Sequence, residues 1–299
     1  MTQPILRVIS LGAGVQSTTL ALMAAREEIG PMPDCAIFAD TGWEPRAVYE
    51  HLDWLCSGNV LPFPVHRVSR GSLRQAIIDR RNSQGGRFAA VPWFIKTKIP
   101  SGTRVPILGD DDQVLGYRTL VHDEWKDGIG RRQCTSEYKL TPIMWKLRDL
   151  LDVGRRGRIR AGAVEVWIGI STDEAVRMKP ARQRWQTARW PLIEKRMSRR
   201  DCEVWLRRNE FPIPPKSSCI GCPFHSDAMW RDLRDNHPDE WADAVKIDKA
   251  LRQGDTRGFV GAEFMHSQRV PLDVVDLSTA DERGQPDLFG NECEGMCGL

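Results

Sequence analysis

No run in this 299-residue chain approaches the roughly 18 to 20 apolar residues that a membrane-spanning helix requires. No basic segment leads into an apolar stretch at Met1-Thr2-Gln3-Pro4, so the first apolar run reads as a core strand rather than a secretion signal. Internal repeats and low-complexity stretches are missing, which excludes solenoids and compositionally biased tracts. Net charge is small, at +3. What remains is enough chain for one large α/β domain, or for a domain plus an appendage, with 41% hydrophobic residues to fill a core. A folded, soluble, cytoplasmic protein with no membrane partner is the expectation.

Two familiar phosphate-binding signatures are also lacking. The segment Ile5-Leu6-Arg7-Val8-Ile9-Ser10-Leu11-Gly12-Ala13-Gly14-Val15-Gln16-Ser17-Thr18-Thr19 reads as a buried strand, a small-residue loop and a helix running to about Gly30. It has neither the Gly-Lys-Ser/Thr ending of a Walker A loop nor the glycine spacing of a dinucleotide fingerprint. Small residues at Gly12, Ala13 and Gly14 would still let backbone N–H groups approach phosphate oxygens, with the helix N-terminus adding partial positive charge. The plain alternative is a tight strand–helix turn. A second strand, Cys35-Ala36-Ile37-Phe38-Ala39, ends in Asp40-Thr41-Gly42 and would stand across a nucleotide-sized crevice.

Strands and helices alternate through the first half, which predicts a parallel sheet with helices on both faces. Pro45 to about Cys56 has helical spacing, Val65-His66-Arg67-Val68 is a short strand, and Ser72 opens a helix through Ile78. Gly, Pro and polar residues dominate 83–118, which reads as a long loop or insertion of the functional-lid kind. A helix follows Cys134, a core strand spans Val164–Ile170, and Ser198 is a helix N-cap. Beyond Pro212 two helices are expected, the second from Pro238 to Gly254. The predicted division is a nucleotide-binding domain over 1–215 and a helical, cysteine-bearing extension over 216–299.

Basic residues cluster at Arg155-Arg156-Gly157-Arg158-Ile159-Arg160 and from Arg177 through Arg208. These are either solvated faces, or an electropositive mouth for a phosphorylated ligand or a nucleic-acid contact strip. Eight cysteines in a cytosolic-looking chain argue against a disulfide framework. Cys35 and Cys202 sit in apolar patterns and Cys56 closes a helical stretch, so these three read as packing residues. Cys219-Ile220-Gly221-Cys222-Pro223 is the most specific chemical signal, because two thiolates at this spacing bind one metal or cluster. A zinc knuckle is the plain alternative. A redox dithiol lacks its usual strand–helix context. His225 is a further candidate donor, or a hydrogen-bonding residue.

In this order the motifs resemble the PP-loop adenine-nucleotide α-hydrolase superfamily, particularly its phosphoadenosine-phosphosulfate (PAPS) reductase-like branch. Ser10-Leu11-Gly12-Ala13-Gly14-Val15-Gln16-Ser17 is similar to the family's Ser-Gly-Gly-x-Asp-Ser loop, with Gln16 where many ATP-using members have Asp. Phe38-Ala39-Asp40-Thr41-Gly42-Trp43-Glu44 resembles its second motif, and Cys134-x-x-x-Tyr138-Lys139-x-x-Pro142-Ile143 its Cys-Arg-Lys-x-x-Pro-Leu helix. Gly169-Ile170-Ser171-Thr172-Asp173-Glu174-x-x-Arg177 resembles a third patch, and Trp190-Pro191-Leu192-Ile193 a later element. The resemblance spans about residues 5 to 225 and implies a Rossmann-like α/β fold, a parallel sheet flanked by helices.

It also implies the site. Ser10, Gly12, Ala13, Gly14, Gln16, Ser17, Asp40, Thr41, Gly42 and Gly169 would bind an adenine nucleotide, ATP or PAPS, with Asp40 and Lys139 in catalysis. Arg131, Arg132 and Lys139 would meet phosphate or sulfate. A [4Fe–4S] cluster, with zinc as the alternative, would sit on Cys134, Cys219 and Cys222. Gln133 replaces the second cysteine of the family's pair, so Cys293 or Cys297 would supply the fourth ligand, or one iron stays open. The tail Glu292-Cys293-Glu294-Gly295-Met296-Cys297-Gly298-Leu299 is similar to the Glu-Cys-Gly-Leu tail whose thiolate attacks a sulfonate, which would make Cys297 a nucleophile.

Two chemistries fit. One is adenylation of a substrate by ATP with pyrophosphate release, for sulfur transfer or modification of a nucleic acid or nucleotide acceptor. It is favoured by Ser17, Thr18, the single cysteine at 134 and the long insertion. The other is reduction of a sulfonucleotide to sulfite, favoured by Gln16 and the tail. A thiol or ferredoxin-type reductant, Mg2+ and a homodimer are further open expectations. A zinc-stabilised nucleic-acid-binding protein without catalysis is the third reading.

Overall fold

A computed structural model describes residues 4–82, 85, 91–111, 113–252, 261–278, 282 and 284. The chain begins with β1 (Leu6–Leu11), α1 (Val15–Ala25), β2 (Cys35–Asp40), α2 (Arg46–Cys56), β3 (Val65–Ser69) and α3 (Leu73–Asp79). Four strands follow, β4 (Phe94–Ile99), β5 (Arg104–Leu108), β6 (Val114–Thr119) and β7 (Glu124–Ile129). A π-helical stretch over Thr135–Leu140 then leads into α4 (Thr141–Leu150), β8 (Val164–Ile168), β9 (Gln186–Arg189), α5 (Pro191–Glu194) and α6 (Arg199–Arg208). The last elements are α7 (Asp227–Asn236), α8 (Pro238–Arg252) and β10 (Ala262–Phe264).

These form two compact units. The first is drawn from the described residues of 4–75 and 134–220, the second from those of 76–133 and 221–284.

The first unit is a five-stranded parallel sheet flanked by helices, in the order β3-β2-β1-β8-β9. Period-two alternation sorts its side chains. Ile9, Leu11, Ala36, Phe38 and Trp167 face one way and pack with α1, α2 and α6. Val8, Cys35, Ile37 and Val164 face the other way, where Leu147 of α4 meets them. Val8, Ile9, Ile37, Trp167, Leu20 and Leu52 have no exposed surface. This arrangement is compatible with a Rossmann-like fold. The chain winds outward from β1 to β3 and resumes on the other side at β8, so strand order reverses between β1 and β8.

The second unit contains a three-stranded antiparallel sheet, β10-β4-β7, a separate β5–β6 hairpin, and α7 and α8. Asp248 of α8 is fully buried and organises this unit. Its carboxylate accepts from the Arg252 guanidinium and from the N–H groups of Met265 at 3.0 Å and Leu272 at 2.9 Å.

Three details differ from the sequence expectation. Helix α1 stops at Ala25 rather than near Gly30, and Glu27 takes the left-handed conformation (φ 62°), which cannot continue a helix. The 83–118 stretch carries β4, β5 and most of β6. Pro100, Gly102 and Gly109 lie between its strands, whereas Pro106 and Gly116 lie inside β5 and β6. The division of the chain is also interleaved rather than sequential, because β10 near the end pairs with β4 in the insertion. Among the described residues no helix is long and apolar enough to cross a membrane.

One buried polar contact ties α1 to α2. The Thr18 hydroxyl and His51 Nε2 lie 3.0 Å apart, and both residues are buried. Burial lowers the His51 pKa from 6.5 to about 4. The unfolded chain therefore takes up a proton between pH 6.5 and 4 that the folded chain refuses. The stability contributed by neutral His51 is present above about pH 6.5 and is lost as pH falls towards 4, on the order of 3 kcal/mol in all. Denaturant unfolding of wild type and His51→Gln across that window is expected to show a shallower pH slope for the variant. Parallel slopes would contradict a neutral buried imidazole.

Candidate functional site

The C-terminal ends of β1 and β8 meet where strand order reverses, the position at which open α/β sheets bind ligands. Ser10 is the last β1 residue paired on both sides, opposite Ile37 and Ile168. Gly12, Ala13 and Gly14 then turn the chain into α1. Ala13 takes φ 56°, a left-handed conformation that costs a non-glycine residue about 1 to 2 kcal/mol. Gly14 occupies the N-cap position of α1 and no side chain caps that end. The first-turn N–H groups are therefore directed at the crevice with their partial positive charge.

Close packing fixes the loop. The Ser17 hydroxyl accepts from the Gly12 N–H at 3.1 Å and donates to the Gly14 carbonyl at 3.3 Å. A Cβ on Gly169, just beyond β8, would lie 2.8 Å from the Ser17 nitrogen and 2.9 Å from its Cα. Only glycine lets α1 start this near the sheet. A Cβ on Gly14 would lie 2.7 Å from the Ser217 Oγ, so the 212–219 segment crosses the loop with a hydroxyl against it.

Gln16 is nearly buried and committed at both ends. Its Nε2 donates to the Ser171 Oγ at 3.4 Å, and its Oε1 accepts from Arg199 Nη1 at 3.3 Å. Arg199 sits at the start of α6, where Ser198 forms the expected N-cap within a capping box with Asp201.

The end of β2 is equally determined. Asp40 Oδ1 accepts from the Gly42 N–H at 2.7 Å and from the Tyr49 hydroxyl at 2.8 Å. Burial, together with the Asp40 carboxylate, raises the Tyr49 pKa, so its phenol stays protonated as a donor. Gly42 has φ +67°, and its absent side chain leaves room for Ser72. Thr41 is buried, and its hydroxyl donates to Glu44 Oε1 at 2.9 Å. Cys219 joins this pair, with its Sγ 3.3 Å from the Thr41 hydroxyl and 3.6 Å from Glu44 Oε1. The Ile220 N–H bonds the Trp43 carbonyl at 2.9 Å and pins the segment in place.

Burial and then the Glu44 carboxylate push the Cys219 thiol well above its ordinary range, while Lys139 pulls it down and Cys134 adds to the rise. Cys134, Lys139 and Cys219 are therefore within electrostatic reach of one another. Cys134 caps the π-helical stretch that carries Lys139, a helix form often found at functional sites.

Thiol donors suit iron–sulfur or zinc chemistry, and of the expected ligands Cys134 and Cys219 lie within electrostatic reach of one another in the first unit. No set of three His, Cys, Asp or Glu side chains converges on a metal position among the described residues. Cys222 follows Cys219 by three residues and belongs to the second unit. Cys293 and Cys297 lie outside the described residues. No disulfide links the described cysteines, and Cys35 and Cys202 are buried core residues whose thiols burial pushes up to about 11 and about 12.

The structure thus brings Ser10, Gly12, Ala13, Gly14, Gln16, Ser17 and Gly169 together, and sets Asp40, Thr41 and Gly42 at the end of the next strand with Cys219. Arg131 and Arg132 belong to the second unit, where Arg132 lies over the Phe224 ring at 5.7 Å. The Arg177–Arg208 stretch is paired in part, while Arg182 and Arg184 within it are exposed and make no ion pair among the described residues. Arg177 pairs with Glu174, Arg189 with Glu194, and Arg199 and Arg207 with Glu203. Ser171, Arg199, Ser217 and Glu44 were not singled out as site residues by sequence reasoning. Glu44 stands inside the second motif and Ser171 inside the third; Arg199 and Ser217 join the site only through contacts more than 150 residues apart in sequence.

In comparisons with known proteins, no family model and no curated protein matches the chain.

Gly169→Ala forces backbone against backbone, with an expected loss of about 1 to 3 kcal/mol. Gly58→Ala, whose Cβ meets nothing within 4 Å, is expected to change little. Urea midpoints of the two variants test this. Equal midpoints would mean that α1 does not depend on the close approach.

Proposed function

We propose that the first unit is an adenine-nucleotide-binding enzyme of the PP-loop kind, which activates an acceptor by adenylation with ATP. The observation that carries this reading is the uncapped N-terminus of α1, held at the β1–β8 reversal by Gly169. Such a terminus favours phosphate through both its free N–H groups and its dipole. Gly12 and Gly14 keep side chains out of the path of an incoming phosphate, and Ser17 holds the loop open from within.

In the proposed step an acceptor oxygen attacks the α-phosphorus of ATP. A new phosphorus–oxygen bond forms, the bond to the bridging oxygen breaks, and pyrophosphate leaves with that electron pair. Asp40, fixed by Gly42 and Tyr49, takes the acceptor's proton, and the Lys139 ammonium offsets charge on the leaving group. A second nucleophile, a sulfur in the sulfur-transfer form, then displaces AMP. An iron–sulfur centre held in part by Cys134 and Cys219 would add redox or sulfur-carrying chemistry beside the crevice, whereas zinc there would be structural.

A second reading, sulfonucleotide reduction through Cys297, is favoured by one observation. Gln16 is neutral and bonded to Arg199, so a guanidinium rather than a carboxylate-held Mg2+ supplies positive charge beside the loop. In that reaction a tail thiolate attacks the sulfonate sulfur, the sulfur–oxygen bond to the nucleotide phosphate breaks, and a dithiol reductant releases sulfite.

Full-length protein purified without oxygen and incubated with ATP or PAPS separates the two. Pyrophosphate from ATP, lowered at least about tenfold by Gly14→Ala, is the expected result. Sulfite from PAPS would replace adenylation with the second reading. Neither product, with no nucleotide retained, would overturn both.

A further inference from the structure

A second charged feature lies at the opposite edge of the same sheet. The 151–163 loop precedes β8, so it stands at the N-terminal ends of the strands, about 17 Å from the crevice by the rise of a five-residue strand. It is not the mouth of the nucleotide crevice.

The loop is built to present arginines. The Gly157 N–H bonds the Gly154 carbonyl at 2.8 Å, closing a tight turn with Arg155 and Arg156 at its corners. Arg148 Nη1 donates to both the Gly154 carbonyl at 2.8 Å and the Gly157 carbonyl at 3.1 Å, drawing the polar backbone inward. A Cβ on Gly157 would lie 2.4 Å from Val153 Cγ1, so a larger residue there would have to displace the Val153 side chain. With the backbone held this way, Arg155, Arg156, Arg158 and Arg160 are all exposed. The Gly162 N–H bonds the Arg184 carbonyl at 3.1 Å, which adds exposed Arg182 and Arg184 beside the loop. Arg155 lies over the Trp145 ring at 4.1 Å, and Arg70 also approaches that ring, at 5.2 Å.

Among the described residues, Arg155, Arg156, Arg158, Arg182 and Arg184 make no ion pair with a carboxylate. Asp149 and Asp152, at the base of the loop, pair with none of them. Most arginines elsewhere in this unit are matched, as Arg189 is with Glu194 and Arg67 with Asp53. Five unmatched guanidiniums on one braced edge are a concentrated cationic surface. They are arginine throughout, whose planar fork suits phosphate oxygens better than a lysine point charge does.

We infer that this edge docks the phosphodiester backbone of a nucleic acid, separately from the nucleotide crevice. Turn corners and stacked guanidiniums read phosphates rather than bases, so binding follows backbone charge and not sequence. The inference stands independently of the reaction assigned to the crevice.

Fluorescence anisotropy of the full chain with a 20-base-pair DNA duplex and an RNA hairpin, between 50 and 200 mM salt, tests it. Both probes carry the shared chemistry, and the tighter one assigns its source. Binding is expected to weaken by roughly 0.9 logarithmic units per tenfold rise in salt for each phosphate contact on duplex DNA, about 0.5 over this window. The triple variant R155E/R156E/R158E is expected to lose at least about tenfold in affinity at 50 mM salt and to flatten the salt slope by about 2 to 3. R155Q/R156Q/R158Q, which removes charge without reversing it, is expected to fall between that variant and wild type, with an unchanged urea midpoint. No binding at 50 mM salt, unaltered binding by either variant, or displacement by poly-glutamate at equal charge concentration would overturn the inference, the last in favour of an acidic protein partner.

Discussion

The close approach of α1 to the end of β8 is the constraint on which the rest of the first unit depends. Gly169 lets the Gln16–Ser17 backbone come within contact distance of the sheet, where any side chain would hold it off. That approach brings the Gln16 amide to Ser171 and turns the first-turn N–H groups towards the strand reversal. It also fixes where Ser17 braces the loop and where Ser217 passes over it. Displacing the helix start would disturb all these contacts together, since packed interiors transmit small displacements rather than absorbing them.

The sheet carries different charge chemistry at its two edges. At the C-terminal edge the positive character is backbone N–H, the Arg199 guanidinium and the Lys139 ammonium, arranged around a narrow loop. Next to it lies a buried, hydrogen-bonded group of Thr41, Glu44 and Cys219, in which a thiol meets a carboxylate rather than another thiol. At the N-terminal edge the positive character is side-chain arginine on a braced turn. A short loop with directed N–H groups suits a compact anion held at one point. A row of exposed guanidiniums suits an extended polyanion.

Much of the fold was legible in the sequence. The apolar runs at Leu6–Leu11, Cys35–Asp40 and Val164–Ile168 are buried on both faces and announce a parallel sheet, and Ser198 announced α6 through local capping chemistry. Residues 83–118 were less legible. Exposed hairpin strands such as β5 and β6 lack a buried face and so lack alternation strong enough to separate them from a loop. The interleaving of the two units was invisible because β10 meets β4 across more than 160 residues. In the site, glycines and the Asp-Thr-Gly turn could be read because their conformational role is local. Arg199 and Ser217 could not, because they become site residues only through tertiary contact. The arginine loop was visible as a cluster, but its edge of the sheet follows from topology.

The central claim is that a nucleotide phosphate rests on the uncapped start of α1 at the β1–β8 reversal. A crystal structure of the full chain with ATP tests it most directly, with PAPS as the parallel ligand. The account predicts phosphate oxygens within hydrogen-bond distance of the N–H groups between Gly12 and Ser17, with the nucleoside towards Asp40-Thr41-Gly42. A nucleotide bound elsewhere, with the loop still covered by Ser217, would contradict it.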